Sequence, residues 1–262
     1  MPPAKLKLPF GTGVYETIAI VNRHPAFLQL HLDRLAKGAE LLQVPKARER
    51  VEQLIVNKLA SCPETPTAMR VDAPGHGIPG ATLRPRKQLP EGALGLYWPK
   101  AGKARGLEDT LKHSQRAGKI TARNEAQAAG CWECVVLNEK GIAAEGTITN
   151  LWAVLDGAAV TPGDDLFPLP GIARHVILEE AKKQQIPVVL KGLSFDDLLR
   201  ASEVFLTNTQ IGALHIDFLV DPDGKRHDLG TDRAMSSRLE AARQAREDED
   251  LRTAPGPIIY GE

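Results

Sequence analysis

Apolar and polar positions change their period several times along the chain, and each change marks an element. Residues 11–21, GTGVYETIAIV, read as a glycine turn running into a β-branched strand. Asn22-Arg23-His24-Pro25 is a turn, and AFLQL a short returning strand. From His31 onward, Leu32, Leu35, Ala39 and Leu42 repeat at the helical period. A second amphipathic helix covers 46–61, with Val51, Leu54, Ile55 and Leu59 on one face. TAMRVDA and ATLRP then read as strands split by the Gly/Pro-rich PGHGIPG, and ALGLYWP as another. The first hundred residues thus predict a small α+β unit.

KAGKARGLED is polar and glycine-containing, the natural linker. After it a helical run extends from Lys112 to Gly130. Strands WECVVLN, GIAAEGT, NLWAVLD and AAVTP follow closely enough to predict a meander. Gly171, preceded by Pro170, opens the helix GIARHVILEEAKKQQ. IPVVLKGL and SEVFLTN read as strands flanking a helical turn at Phe195–Leu199. Residues 232–248 read as a charged helix, and the tail TAPGPIIYGE as poorly ordered. The division expected is a small N-terminal α+β domain at 1–102, a linker at 103–109 and a larger domain at 110–262. The larger domain is expected to have a meander or barrel-like β core with helices.

Composition narrows the classes. Lys plus Arg and Asp plus Glu are 33 each, so no basic field attracts nucleic acid or an anionic membrane. No apolar run approaches the roughly 18 residues of a spanning helix. MPPAKLKLPF lacks the apolar core of a signal peptide, so a cytoplasmic protein is expected. Three cysteines make no disulfide framework. Cys131 and Cys134 form a CxxC, but Cys62 stands alone, so no second metal pair exists; two structural cysteines are the reading favoured. No metal site is expected.

The candidate chemistry centres on Lys112 and Glu145. Lys112 stands after the linker, 21 residues before Glu133, and opens KHSQR; alone it reads equally as a solvated lysine. Glu145 opens EGTITN, and alone it reads as a glutamate ahead of a turn. LPGIAR is a helix start, whose free amides and positive dipole end suit a phosphate. TNT after the strand SEVF can close a turn or hold an anion. HLDRL carries Arg34, either a surface charge or a fork for an anion.

In this order and spacing, these pieces resemble the class IV aminotransferase family, the pyridoxal-phosphate enzymes of fold type IV. The likeness runs from about residue 9 to 230. It implies a two-domain fold, pyridoxal 5′-phosphate as cofactor, a small-molecule substrate and a homodimer. It also implies roles. Lys112 is the Schiff-base lysine, and Glu145 the carboxylate that keeps the pyridine nitrogen protonated. Arg34, Gly171, Ile172, Asn208 and Thr209 bind the cofactor, chiefly its phosphate. His31 lies behind Arg34, and Asn150 ties the hairpin near the site. Tyr15 and Thr17 match the stretch lining the active site, and Thr17 is expected to help in proton transfer. The pattern KHSQR, with Arg116 where transaminases of the family tend to have a tyrosine, resembles the aminodeoxychorismate lyases of the family. That implies release of pyruvate and formation of 4-aminobenzoate for folate synthesis. An aminotransferase acting on branched-chain or D-amino acids, and a catalytically silent binding protein, remain the alternatives. Arg84 and Arg86 in TLRPRK are candidates for substrate binding beside Tyr15 and Arg116. The approach to the first motif, MPPAKLKLPFGTG, is shorter than the family's, so a shortened N-terminal sheet is expected.

Overall fold

A computed structural model of the chain describes Leu6 and residues 8–9, 11–86, 88–89 and 91–253. The expected tail from 254 onward, and much of the N-terminal approach, lie outside the described residues. The chain divides into two compact units, discontinuous in sequence. The first draws on 1–88, 111–115 and 245–262, the second on 89–110 and 116–244.

The first unit is a four-stranded antiparallel sheet backed by two helices. β1 (Val14–Val21) pairs with the two-residue β2 (His24–Pro25) and with β3 (Thr67–Ala73), and β3 pairs with β4 (Gly80–Pro85). The helices are α1 (Leu28–Leu41) and α2 (Ala47–Leu59). Side chains alternate along a strand. Val14, Ile18, Ile20, Met69 and Val71 therefore share one face, where they pack with Leu32, Leu35, Val51 and Ile55 of the helices. The expected strand AFLQL is absent. Pairing stops at Pro25, Phe27 adopts φ 54°, and its N–H donates to the Asp250 carboxylate at 2.6 Å. Helix α1 then starts at Leu28, because Leu28, Leu32 and Leu35 extend the helical stripe back through AFLQL.

The segment around Lys112 is also not helical. Its carbonyl accepts the Tyr15 N–H at 2.9 Å, and Ser114 N–H donates to the Gly13 carbonyl at 2.9 Å. These antiparallel rungs on the edge of β1 use the backbone groups a helix would need. Helix α3 begins only at Ala117 and ends at Ala128.

The second unit carries two open five-stranded sheets, and no closed barrel exists among the described residues. In chain order its strands are β5 (Gly95–Tyr97), β6 (Glu133–Leu137), β7 (Ala143–Gly146), β8 (Asn150–Leu155) and β9 (Ala158–Thr161). Then come β10 (Val188–Leu190), β11 (Glu203–Asn208), β12 (Gly212–His215), β13 (Phe218–Val220) and β14 (Arg226–Asp228). The sheet orders are β10-β9-β8-β11-β12 and β14-β13-β5-β6-β7. The expected meander is present as the antiparallel pairs β6–β7 and β8–β9. Every residue of β8 is buried, and its Trp152 stacks on Phe205 of β11 at 5.6 Å. The helices are α4 (Ile172–Lys183), the short α5 (Phe195–Arg200) and α6 (Ala234–Thr253), which runs on into the first unit. The start of α6 is fixed by the buried Glu203, which accepts the Met235 and Ser236 amides at 2.7 and 2.9 Å. No described helix is long and apolar enough to cross a membrane.

Candidate active site

Within the first unit, the sheet face turned away from the helices is polar. Tyr15 and Thr17 stand on it, directly opposite Asp72 and Arg70. Lys112 joins them, with Nζ 4.8 Å from the centre of the Tyr15 ring. Lys112, Tyr15 and Thr17 are thus brought together by the rungs and by strand alternation. Arg84 lies on the same face, exposed and opposite Ala68, and Arg86 follows the end of β4.

On the helix side of the same sheet, Glu16 is buried against α1. Arg34 grips it in a fork, Nε at 2.8 Å and Nη2 at 2.6 Å on the two oxygens. His31 Nδ1 lies 2.7 Å from Oε2. Burial alone would raise the Glu16 carboxyl, yet the Arg34 and His31 partners hold it below the usual carboxylate range. Burial pushes His31 down from its ordinary value, so it is neutral and donates Nδ1–H to Glu16. The orientation of the Arg34 guanidinium, the expected phosphate ligand, is therefore set by Glu16 and not by its own helix.

In the second unit, Glu145 sits buried on β7. Its Oε1 accepts from Arg105 Nη2 at 2.6 Å and Lys119 Nζ at 2.9 Å, and its Oε2 from the Leu169 amide at 3.0 Å. A buried carboxylate needs such pairing to stay charged. Arg105 is itself held by the Phe167 carbonyl at 2.6 Å. Arg105 falls in the polar stretch read as a linker, and nothing in the sequence separates it from the cations around it.

The turn after Glu145 is built on Glu133, which is fully buried. Its carboxylate accepts the Cys134 amide at 2.9 Å, the Ile148 amide at 3.1 Å and the Thr149 hydroxyl at 3.2 Å. It also accepts the Thr147 hydroxyl and faces Arg123 at 3.1 Å. The turn ends at Asn150, whose amide donates to the Leu169 carbonyl at 2.9 Å. Gly171 caps α4 against this amide: a Cβ there would collide with Asn150 Oδ1. No side chain caps the helix, and its first turn carries no acid. Arg174, by contrast, is buried and donates to the Pro162 carbonyl at 2.7 Å, a structural part.

Asn208 closes the end of β11, its Oδ1 accepting the Gln210 and Ile211 amides at 2.8 and 3.1 Å while its Nδ2 donates to the Ile148 carbonyl. Asn208 therefore braces the Thr209 loop against the turn that follows Glu145. Thr207 receives the Trp152 indole N–H at 3.0 Å. Arg116 immediately precedes α3 in the second unit. The CxxC cysteines are both buried, packed with Phe218 and Val220, and burial raises their thiols to about 11 and about 12.

The family model for amino-transferase class IV matches residues 13–217. A D-alanine aminotransferase of Listeria innocua is 30% identical over 243 residues, spanning 83% of this chain and 82% of that protein. The solved 4-amino-4-deoxychorismate lyase of Pseudomonas aeruginosa is 27% identical, with a TM-score of 0.75 over 95% of this chain and 97% of its own. The branched-chain amino acid aminotransferase of Escherichia coli shares the fold, with 22% identity and a TM-score of 0.75 over 88% and 83%.

Proposed function

Since the chain belongs to the class IV aminotransferase family, whose enzymes depend on pyridoxal phosphate, we propose that it is a 4-amino-4-deoxychorismate lyase. The donor chemistry suits that cofactor. A lysine amine lies on a tyrosine ring, a buried carboxylate is backed by two cations, and an uncapped helix start is cradled by a glycine. Lys112 would hold the cofactor's aldehyde carbon, Glu145 its pyridine nitrogen, and the amides of Gly171 and Ile172 with Arg34, Asn208 and Thr209 its phosphate. When bound, the cofactor supplies an electron sink for the substrate carbon that bears the amine.

The protein's own part is to move and place protons. Lys112, displaced by the substrate amine, takes the proton from the carbon beside that nitrogen. The bond between the ring carbon and the enolpyruvyl oxygen breaks, and the oxygen takes up a proton. The released enol becomes pyruvate as its methylene carbon gains a proton and its O–H loses one. Loss of both groups leaves the aromatic ring of 4-aminobenzoate. Thr17 stands in the same row of side chains as Tyr15, on the face where Lys112 lies, and relays the second proton. Glu145, fixed by Arg105, keeps the pyridine proton in place through the cycle. Tyr15, Arg84, Arg86 and Arg116 serve the substrate. The lyase is assigned to folate synthesis, in the cytoplasm and as a homodimer, which sedimentation of the loaded enzyme tests.

The observation that carries the lyase reading is Thr17 on the sheet face where Tyr15 and Lys112 stand. A hydroxyl there gives elimination a proton relay that amino transfer does not require. The second reading, a D-amino-acid aminotransferase, is favoured by the 30% identity to the Listeria innocua enzyme; a branched-chain one is supported by 28% identity to a probable branched-chain-amino-acid aminotransferase of Thermotoga maritima. One experiment separates them. Loaded protein is fed 4-amino-4-deoxychorismate, and separately D-alanine or leucine with 2-oxoglutarate. Pyruvate and 4-aminobenzoate in equal amounts support the lyase. Glutamate without 4-aminobenzoate means an aminotransferase, and a protein that never takes up the cofactor refutes both.

A further inference from the structure

We propose that Glu240 is a positioning residue for the cofactor's phosphate: from α6 it fixes the loop that presents Thr209. The assignment rests on the reading of Thr209 as a phosphate ligand.

Asn208 and Gly212 pair across the ladder of β11 and β12, so Thr209, Gln210 and Ile211 form the turn between them. The two limbs of this turn are held separately. On the near limb, Asn208 Oδ1 accepts the Gln210 and Ile211 amides at 2.8 and 3.1 Å. The far limb bends at Gly212, whose φ of 64° lies in the left-handed region that favours glycine. The next amide, Ala213 N–H, donates to Glu240 Oε2 at 2.8 Å. Glu240 also fills the space beside Gly212, where a Cβ would collide with its carboxylate. Thr209 therefore stands between two anchored ends.

A carboxylate beside an anion-binding loop would repel a phosphate if its charge stood alone. It does not. Arg243 forks it, with Nε on Oε2 at 2.9 Å and Nη2 on Oε1 at 2.7 Å, and Gln244 Nε2 donates to Oε1 at 3.0 Å. The Arg243 side chain is only 5% exposed, so the pair is shielded and presents no net charge to the loop.

The helix that carries Glu240 is fixed in turn. Glu203, the first residue of β11, accepts the Met235 and Ser236 amides at the start of α6. The strand and the helix are thus locked together at two points, before β11 begins its run and just after it ends. A loop ordered before its ligand arrives does not have to be ordered by it, and this is how Glu240 adds affinity. No motif announces the residue, because its partner lies in the backbone of another element.

The test uses full-length protein and its visible cofactor band. Binding is measured for pyridoxal phosphate and for pyridoxal, which lacks the phosphate. Glu240→Ala is expected to raise the pyridoxal phosphate Kd roughly tenfold, the scale of one lost charged hydrogen bond, and the pyridoxal Kd by less than about twofold. Glu240→Gln keeps an oxygen for the Ala213 amide and weakens only the Arg243 fork, so the loss should be about threefold. Gly212→Ala should act like Glu240→Ala, because its Cβ displaces the carboxylate, and the double variant should cost less than the product of the two. Equal shifts for both ligands in Glu240→Ala, or none, overturn the assignment. If that variant does not fold, Glu240→Gln decides: a loss confined to pyridoxal phosphate supports the role, and equal changes or none overturn it. Wild-type protein that binds both ligands equally refutes the phosphate reading of Thr209 itself, and wild-type protein with no band refutes the reading of Lys112.

Discussion

Replacing Glu133 by alanine should destabilise the second unit more than any surface change, because the carboxylate is the shared acceptor for a whole turn. The structure gives the magnitude. Two backbone amides, Cys134 and Ile148, donate to it, as do two hydroxyls, Thr147 and Thr149. The hydroxyls can rotate to other acceptors, and Arg123, about a fifth exposed, can turn to water. The buried Cys134 amide cannot, and an orphaned buried donor costs about 1–3 kcal/mol; the part-buried Ile148 amide adds a smaller loss. The expected loss is therefore about 2–4 kcal/mol, a large part of the roughly 5–15 kcal/mol of a typical domain. With a urea slope of about 2–3 kcal/mol/M, the midpoint should fall by about 1 M or more. Tryptophan fluorescence is the right probe, since Trp98, Trp132 and Trp152 all belong to the second unit. Glu133→Gln, which keeps the shape but turns one acceptor into a donor, should fall between. An alanine variant whose midpoint stays within about 0.3 M of wild type would refute the idea that Glu133 holds the turn.

Gly171→Ala should weaken pyridoxal phosphate binding about tenfold by driving Asn150 off the Leu169 carbonyl, whereas Gly118→Ala, with open space in α3, should stabilise by about 0.5–1 kcal/mol; cofactor titration and urea melts of both variants check this. Acid should loosen the first unit early. The folded pKa of His31 is depressed below 6.5 and that of Glu16 below 4.5, so in both cases the unfolded chain binds more protons, and stability falls as pH drops below each value in turn. Unfolding free energies measured from pH 7 to 4 should decline, and a His31→Gln variant should lose the upper part of that decline; a flat profile contradicts it. Cys131 and Cys134, with thiols raised to about 11 and about 12, should resist a thiol reagent at pH 8 in the native protein, and all three cysteines should react once it is denatured.

The sequence made the long elements legible wherever one period held for two turns or more. The alternation in VYETIAIV and TAMRVDA marks β1 and β3 because one face of that sheet is buried by helices. AFLQL is ambiguous, since five apolar-rich residues after a proline fit a strand or a helix start equally. Strands β12 to β14 are only three or four residues long, too short to show a period. At the site, the residues with a motif around them could be named, whereas those that act through a partner could not. Arg105 stands among other cations, Glu133 is one strand glutamate among several, and Glu240 is one acid in a charged helix. Each gains its meaning from a residue distant in sequence: Glu145, Ile148 and Ala213.

The composition of the first unit sets a schedule for its birth on the ribosome. Phe27, at the entry to α1, donates its amide to Asp250, 223 residues later. The strand that carries Tyr15 is paired along its edge by residues 112–114. A chain made from its N-terminus must therefore leave the α1 entry unclosed until Asp250 has emerged. The second unit, complete by residue 244, has by then all of its sequence available. Such a long-range closure is slow and leaves apolar surface unprotected meanwhile. Expression lost on deleting α6 from residue 245 onward should therefore appear as aggregation of nascent protein, with the deficit traceable to the oldest part of the chain.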